Sequence, residues 1–175
     1  MNEILQPKGI ITLDSSIVAV RRSTEEQTSL EAMFIEIFEH RFSFNEVIGL
    51  KVDSFAPESP CLTFDMRPEL VGSYLHNRLH GGVIATALDT VGGFAVAVAI
   101  AEKHANETAE QIVMRFGCFG TIDLRVDYLQ QGIGRSFCAS AKVVRLGGRI
   151  ASVQMELKND ADLLIAIGTA AYVIS

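Results

Sequence analysis

Two features of this 175-residue chain could do chemistry. One is the pair Gly81-Gly82, which follows His80 and opens a long apolar run. The other is Asp89, the one acid inside the run 83–101, VIATALDTVGGFAVAVAIA. Backbone N–H groups at a helix start have no intrahelical acceptor, and glycines leave them unshielded. Such groups bind an anion or a developing oxyanion. A carboxylate in an apolar run is poorly solvated, which suits a general base or a nucleophile. Plainer readings exist for each. A glycine pair can relieve a tight turn, and a buried aspartate can bond a backbone group or an arginine of a neighbouring strand. Occurring together, the two point to a catalytic site.

Their spacing carries a further inference. Asp89 lies eight residues beyond Gly81, which on one helix is about 12 Å of rise. A carboxylate that far away cannot share a reacting carbonyl with the Gly81 N–H. Two copies of the helix, antiparallel about a two-fold axis, would bring the Gly81 end of one copy to Asp89 of the other. The spacing therefore predicts a homodimer with two composite sites. Other signatures are missing: the chain has no GxSxG elbow, Walker loop, GxGxxG or HExxH. Its four histidines are not set with Cys or acids at metal spacing. The chemistry so read needs neither metal nor cofactor.

The elements that would position these groups follow from periodicity. Ser23-Thr24-Glu25-Glu26 reads as a helix start, and Leu30, Phe34, Ile37, Phe38 and Phe42 keep helical spacing, so a helix is predicted over about 25–41. Residues 1–22 show no period and read as an arm ahead of a single domain, 23–175. Two strands are predicted at 47–56 and 61–66, and a loop at 67–80. The apolar run is the central helix. An exposed connection is expected at 103–110. Thr121–Leu129 alternates, with Ile122, Leu124, Val126 and Tyr128 on one face and Thr121, Asp123, Arg125 and Asp127 on the other. Three more strands, 136–146, 149–158 and 163–174, are joined by tight turns. A helix apolar nearly all round needs a partner that surrounds it, and a curved antiparallel sheet does so. The fold class is α+β.

Composition bounds the rest. Length implies one domain. Apolar residues are 49%, charged residues 21% and net charge −6, a globular composition with too little positive charge to suggest nucleic acid as a partner. Three cysteines without CxxC spacing argue against a disulfide scaffold and for a reducing cytosol, so a cytoplasmic location is expected. The run 83–101 is long enough for a membrane span, but Asp89 near its middle and Gly92-Gly93 favour a buried core helix over a membrane partner.

The segments LHGGVIATALDTVGG, TIDLRVDYL and VVRLGGR resemble the hotdog-fold acyl-CoA thioesterases of the PaaI-like group, nearest its YigI-like branch, over about residues 45–175. The resemblance implies a long helix wrapped by a curved antiparallel sheet, a dimer with a continuous sheet, and often a dimer of dimers. It implies that the Gly81 N–H polarises the thioester carbonyl, with Gly82 beside it. Asp89 of the facing subunit would attack that carbonyl or activate water, and His80 would help to position the thioester. Many members carry an Asn six residues before the motif histidine; here that place holds Tyr74, and Asn77 lies three residues off. A later Ser or Thr found in some members has no direct match, since Glu107 stands eighteen residues past Asp89. Thr90 and Thr121 are its candidate substitutes.

Coenzyme A would add phosphates to be held. Between residues 111 and 158 there are seven basic residues (Arg115, Arg125, Arg135, Lys142, Arg145, Arg149, Lys158) against three acids. Arg145 and Arg149, flanking a Gly-Gly turn, are the expected phosphate contacts. The small residues Ala85, Ala87, Gly92 and Gly93 suggest room for a medium or long acyl chain. Alternatives on the same fold are an acyl-CoA-binding protein without turnover and an enoyl-CoA hydratase or dehydratase using His80 with Asp89.

Overall fold

The computed structural model describes residues 21–175, so nearly all of the expected arm lies outside the described residues. Helix α1 (Thr24–Ile35) starts where expected, with the Ser23 hydroxyl accepting from the Glu26 N–H. It runs into a π-helical turn, Glu36–Arg41, and a short helix α2, Ser43–Ile48. The helical region thus takes the first two residues, 47 and 48, of the strand predicted at 47–56. Two local causes are visible. Buried Asn45 donates from Nδ2 to the Phe38 carbonyl, tying the π turn to α2, and Gly49 ends α2 at φ +79°, a left-handed conformation that glycine adopts freely.

Strands β1 (Lys51–Ser54) and β2 (Cys61–Asp65) follow. The expected loop at 67–80 contains a small ribbon, β3 (Val71–Ser73) against β4 (Arg78–Leu79). The central helix α3 spans Gly81–Lys103. The connection after it is not wholly irregular: it contains α4 (Ala109–Met114), started by a Thr108–Gln111 capping box that satisfies donors reciprocally. Then come β5 (Gly120–Tyr128), β6 (Ser136–Leu146), β7 (Ile150–Asn159) and β8 (Leu164–Val173).

Six strands form one antiparallel sheet in the order β1-β2-β6-β7-β8-β5. Helix α3 packs on the inner faces of β2, β5, β6, β7 and β8. Its length and apolarity would suit a membrane span, yet most of it is buried inside the protein. Leu88, Val91, Phe94 and Val96 are fully buried. The N-terminal helices cover α3 through an aromatic cluster in which Phe34 meets Phe38, Phe94 and Phe116 edge to face. The far end of α3 is closed by Arg22, whose guanidinium donates to the carbonyls of Ala101, His104 and Glu107. Ala101 is in the last turn of α3, where a helix leaves carbonyls without partners, His104 is the C-cap, and Glu107 lies in the turn that follows. Against the expectation from cysteine count, Cys61 and Cys138 are joined across β2 and β6.

Candidate active site

The Gly-Gly start of α3 is built by its neighbours. His80 is the N-cap, and its Nδ1 accepts from the Gly82 N–H at 2.9 Å. The His80 N–H donates to the Leu70 carbonyl. A Cβ at Gly72 would lie 2.5 Å from the His80 Cα, so glycine there lets β3 pass close to the cap. Tyr128, at the end of β5, donates to the Gly81 carbonyl at 3.0 Å. The Gly82 N–H is therefore spent on the cap. Among the described residues no acceptor reaches the Gly81 N–H.

The tight-turn reading of the glycine pair does not fit this geometry. Neither glycine has a positive φ. A Cβ at Gly81 would meet only Tyr128, at the ordinary contact distance of 3.5 Å. The glycine keeps an N–H accessible where the fold itself would accept a side chain. Beside it lies a cleft of about 540 Å³, lined by Arg78, His80, Gly81, Tyr128 and Gln131 among others.

Asp89 sits two turns further along the same unbroken helix, so within one protomer it stands about 12 Å from Gly81. It belongs to the one stripe of α3 that the sheet leaves partly open: Gly82, Ala85, Thr86, Asp89, Thr90 and Gly93. Its Oδ1 accepts from Thr121 Oγ1 at 2.9 Å and from the Tyr172 hydroxyl at 3.2 Å. Among the described residues no donor reaches Oδ2, and no Lys, Arg or His forms an ion pair with this carboxylate. The arginine-partner reading of Asp89 therefore has no support in the structure.

Thr121 reaches Asp89 through a departure from the strand period. The β5–β8 register shifts between Thr121 and Asp123, leaving Ile122 as an extra residue. Thr121 lies opposite Tyr172, a core residue. The bulge thus turns Thr121 to the inner face, whereas strict alternation placed it outside, and leaves Ile122 exposed at 56%.

The remaining candidates stand elsewhere. Thr90 donates to Asn45 Oδ1, turned toward α2. Asn77 is an exposed turn residue at φ 45°, a conformation asparagine tolerates well. Tyr74 is 90% exposed. Arg145 and Arg149 flank the β6–β7 turn, whose Gly147 and Gly148 lie with Lys103 and His104 at the opposite end of α3 from Gly81. The basic surplus is smaller than the sequence count implied: Arg115, Arg125, Arg135 and Lys158 pair with Glu107, Asp127, Asp160 and Asp162. Three of those acids fall outside the counted segment. Of the four small helix residues, Gly92 faces Tyr172 and Met155, and Ala87 is fully buried; only Ala85 and Gly93 remain partly open.

An antiparallel sheet packed about one long helix is the hotdog architecture, and the open N–H at the helix start and the carboxylate two turns on are its candidate site. The comparisons agree. The model of the thioesterase superfamily matches residues 76–166. The medium/long-chain acyl-CoA thioesterase YigI of Escherichia coli is 36% identical over 139 residues, 79% of this chain and 90% of that protein. A Shewanella oneidensis protein related to the thioesterase superfamily superposes with a TM-score of 0.80 at 33% identity, covering 88% of this chain and all of that one. A thioesterase family protein from Silicibacter pomeroyi shares the fold at a TM-score of 0.64 and 22% identity, over 81% and 96% of the two chains. This chain belongs to the thioesterase superfamily.

Proposed function

We propose that the protein hydrolyses medium- or long-chain acyl-CoA thioesters, as a homodimer whose two sites each draw on both subunits. One observation carries this reading: the open Gly81 N–H and the open Asp89 Oδ2 are on one helix, about two turns apart, and neither has a partner among the described residues. Two antiparallel copies of α3, apposed along the Gly82–Gly93 stripe, would bring the first group of one copy to the second group of the other. The stripe is made of Gly, Ala, Thr and Asp, so the helices can approach closely. Among the described residues strand β5 is a nine-residue sheet edge without proline, paired only with β8. Such an edge is a template for strand addition.

In this reading the thioester oxygen sits at the Gly81 N–H. Asp89 Oδ2 of the partner subunit takes a proton from water as the water oxygen attacks the carbonyl carbon. The negative charge passes to the oxygen held by Gly81. The carbon–sulfur bond then breaks, the coenzyme A sulfur leaves with the electron pair, and the proton on Asp89 returns to it. A preorganised donor of this kind contributes about 3–4 kcal/mol to the transition state. The acyl chain lies along Ala85 and Gly93. YigI, at 36% identity, is named for the same substrate class.

The test is thiol release from a panel of acyl-CoAs, from acetyl to palmitoyl, by the purified chain. Turnover rising toward medium and long chains is expected. Binding without thiol release would favour a carrier, and loss of enoyl absorbance without thiol release would favour a hydratase. Either result would overturn the proposal.

A further inference from the structure

Tyr172 lies near the end of β8 and is 3% exposed. Its hydroxyl donates to the Asp89 backbone carbonyl at 2.8 Å and lies 3.2 Å from Asp89 Oδ1, one hydrogen shared between the two oxygens. The register sets Thr121 of β5 directly opposite, donating to the same Oδ1. Two adjacent strands thus aim donors at one carboxylate oxygen, and one of these donors is also fixed to the main chain of the same residue. A buried hydroxyl is costly unless bonded, and a phenylalanine would fill this part of the core without that cost. Gly92 makes the space: a Cβ there would overlap the Tyr172 Oη and sit 2.7 Å from Met155 Sδ. Burial, reinforced by the adjacent carboxylate, holds the phenol protonated well above the usual tyrosine range, so the donor persists at any working pH.

We infer that Tyr172 is a positioning residue for catalysis: seated in the notch at Gly92, it pins Asp89 Oδ1, jointly with Thr121, so that Oδ2 faces the reacting centre. The inference rests on the reading of Asp89 as proton acceptor. The rival role is structural, a hydroxyl that merely caps a helix carbonyl; loss of such a cap lowers melting temperature without touching turnover.

The experiment measures kcat and KM for thiol release from lauroyl-CoA by the wild type, Tyr172→Phe, Asp89→Asn and the double variant. Tyr172→Phe is expected to lower kcat about tenfold, with KM changed less than about twofold, as for loss of one bond to a charged group. In the Asp89→Asn background the same change should alter kcat by less than about twofold, the signature of two residues acting as a unit. Wild-type kcat in Tyr172→Phe, or an equal loss in both backgrounds, overturns the inference while leaving the role of Asp89 intact. Undiminished turnover by Asp89→Asn alone overturns the reading beneath it. Should Tyr172→Phe not fold, Gly92→Ala keeps the phenol but drives it off the carboxylate. The same kcat loss is then expected, and a folded Gly92→Ala with wild-type kcat overturns the inference.

Discussion

At Gly81 the fold has room for a methyl group, and that separates stability from function. Gly81→Ala adds a Cβ in ordinary contact with Tyr128, and alanine is a better helix former than glycine. Melting temperature is expected to hold or rise, while kcat/KM falls about tenfold or more as the Cβ crowds the approach to the N–H. Thermal melts beside thiol-release assays check both halves. Asp89→Asn keeps the shape and the acceptor oxygen for Thr121 and Tyr172 but removes the proposed base. Turnover is expected to fall about 10²–10⁴-fold with KM little changed, measured on protein of unchanged melting temperature and assembly. Asp89 and Gly81 were legible because each breaks a local pattern, an acid in an apolar run and a glycine pair at a helix start. Tyr172 was not legible: its partner lies 83 residues away, and nothing in a strand sequence distinguishes a tyrosine that fills space from one that holds a carboxylate.

At the scale of elements, the central helix depends on what closes its ends. Arg22 supplies three bonds, one to the last turn of α3, one to its C-cap and one to the turn that follows, from a segment with no period of its own. Hydrogen bonds from charged groups are worth about 1.5–3 kcal/mol each, less where partly solvated. Arg22→Ala is therefore expected to lower the melting temperature by about 5–10 °C in a chain of this size, with kcat preserved because the change lies at the end of α3 remote from Gly81. Calorimetry with a parallel activity assay checks this. The long helix and the four C-terminal strands were readable from hydrophobic period alone. What escaped were short elements set by side chains. Thr108 and Gln111 did carry a capping-box signal for α4, but the π turn and α2 depend on Asn45 reaching back to Phe38. The bulge at Ile122 likewise answers to pairing with β8 rather than to the β5 sequence.

At the scale of the molecule, one chain holds both candidate groups without bringing them together. An open donor and an open carboxylate oxygen are fixed about 12 Å apart on a rigid helix, and the stripe between them is left partly uncovered. In the proposed homodimer a two-fold axis would close the separation and serve two sites at once. The spacing of Gly81 and Asp89 is what leads from the sequence to the proposed assembly, and the unbroken α3 keeps that spacing. The basic surplus was not readable in the same way, because a count of charges along the chain ignores the acids that β-pairing and turns bring beside Arg115, Arg125, Arg135 and Lys158.

Subunit complementation tests the shared site most directly. Gly81→Val blocks the donor and Asp89→Asn removes the base, so each homodimer is expected to be nearly inactive. Co-expressed, a mixed dimer would pair the intact Gly81 of one chain with the intact Asp89 of the other. Random pairing should then restore about a quarter of wild-type thiol release. Activity that stays at the level of the two separate variants would show that Gly81 and Asp89 do not meet across subunits.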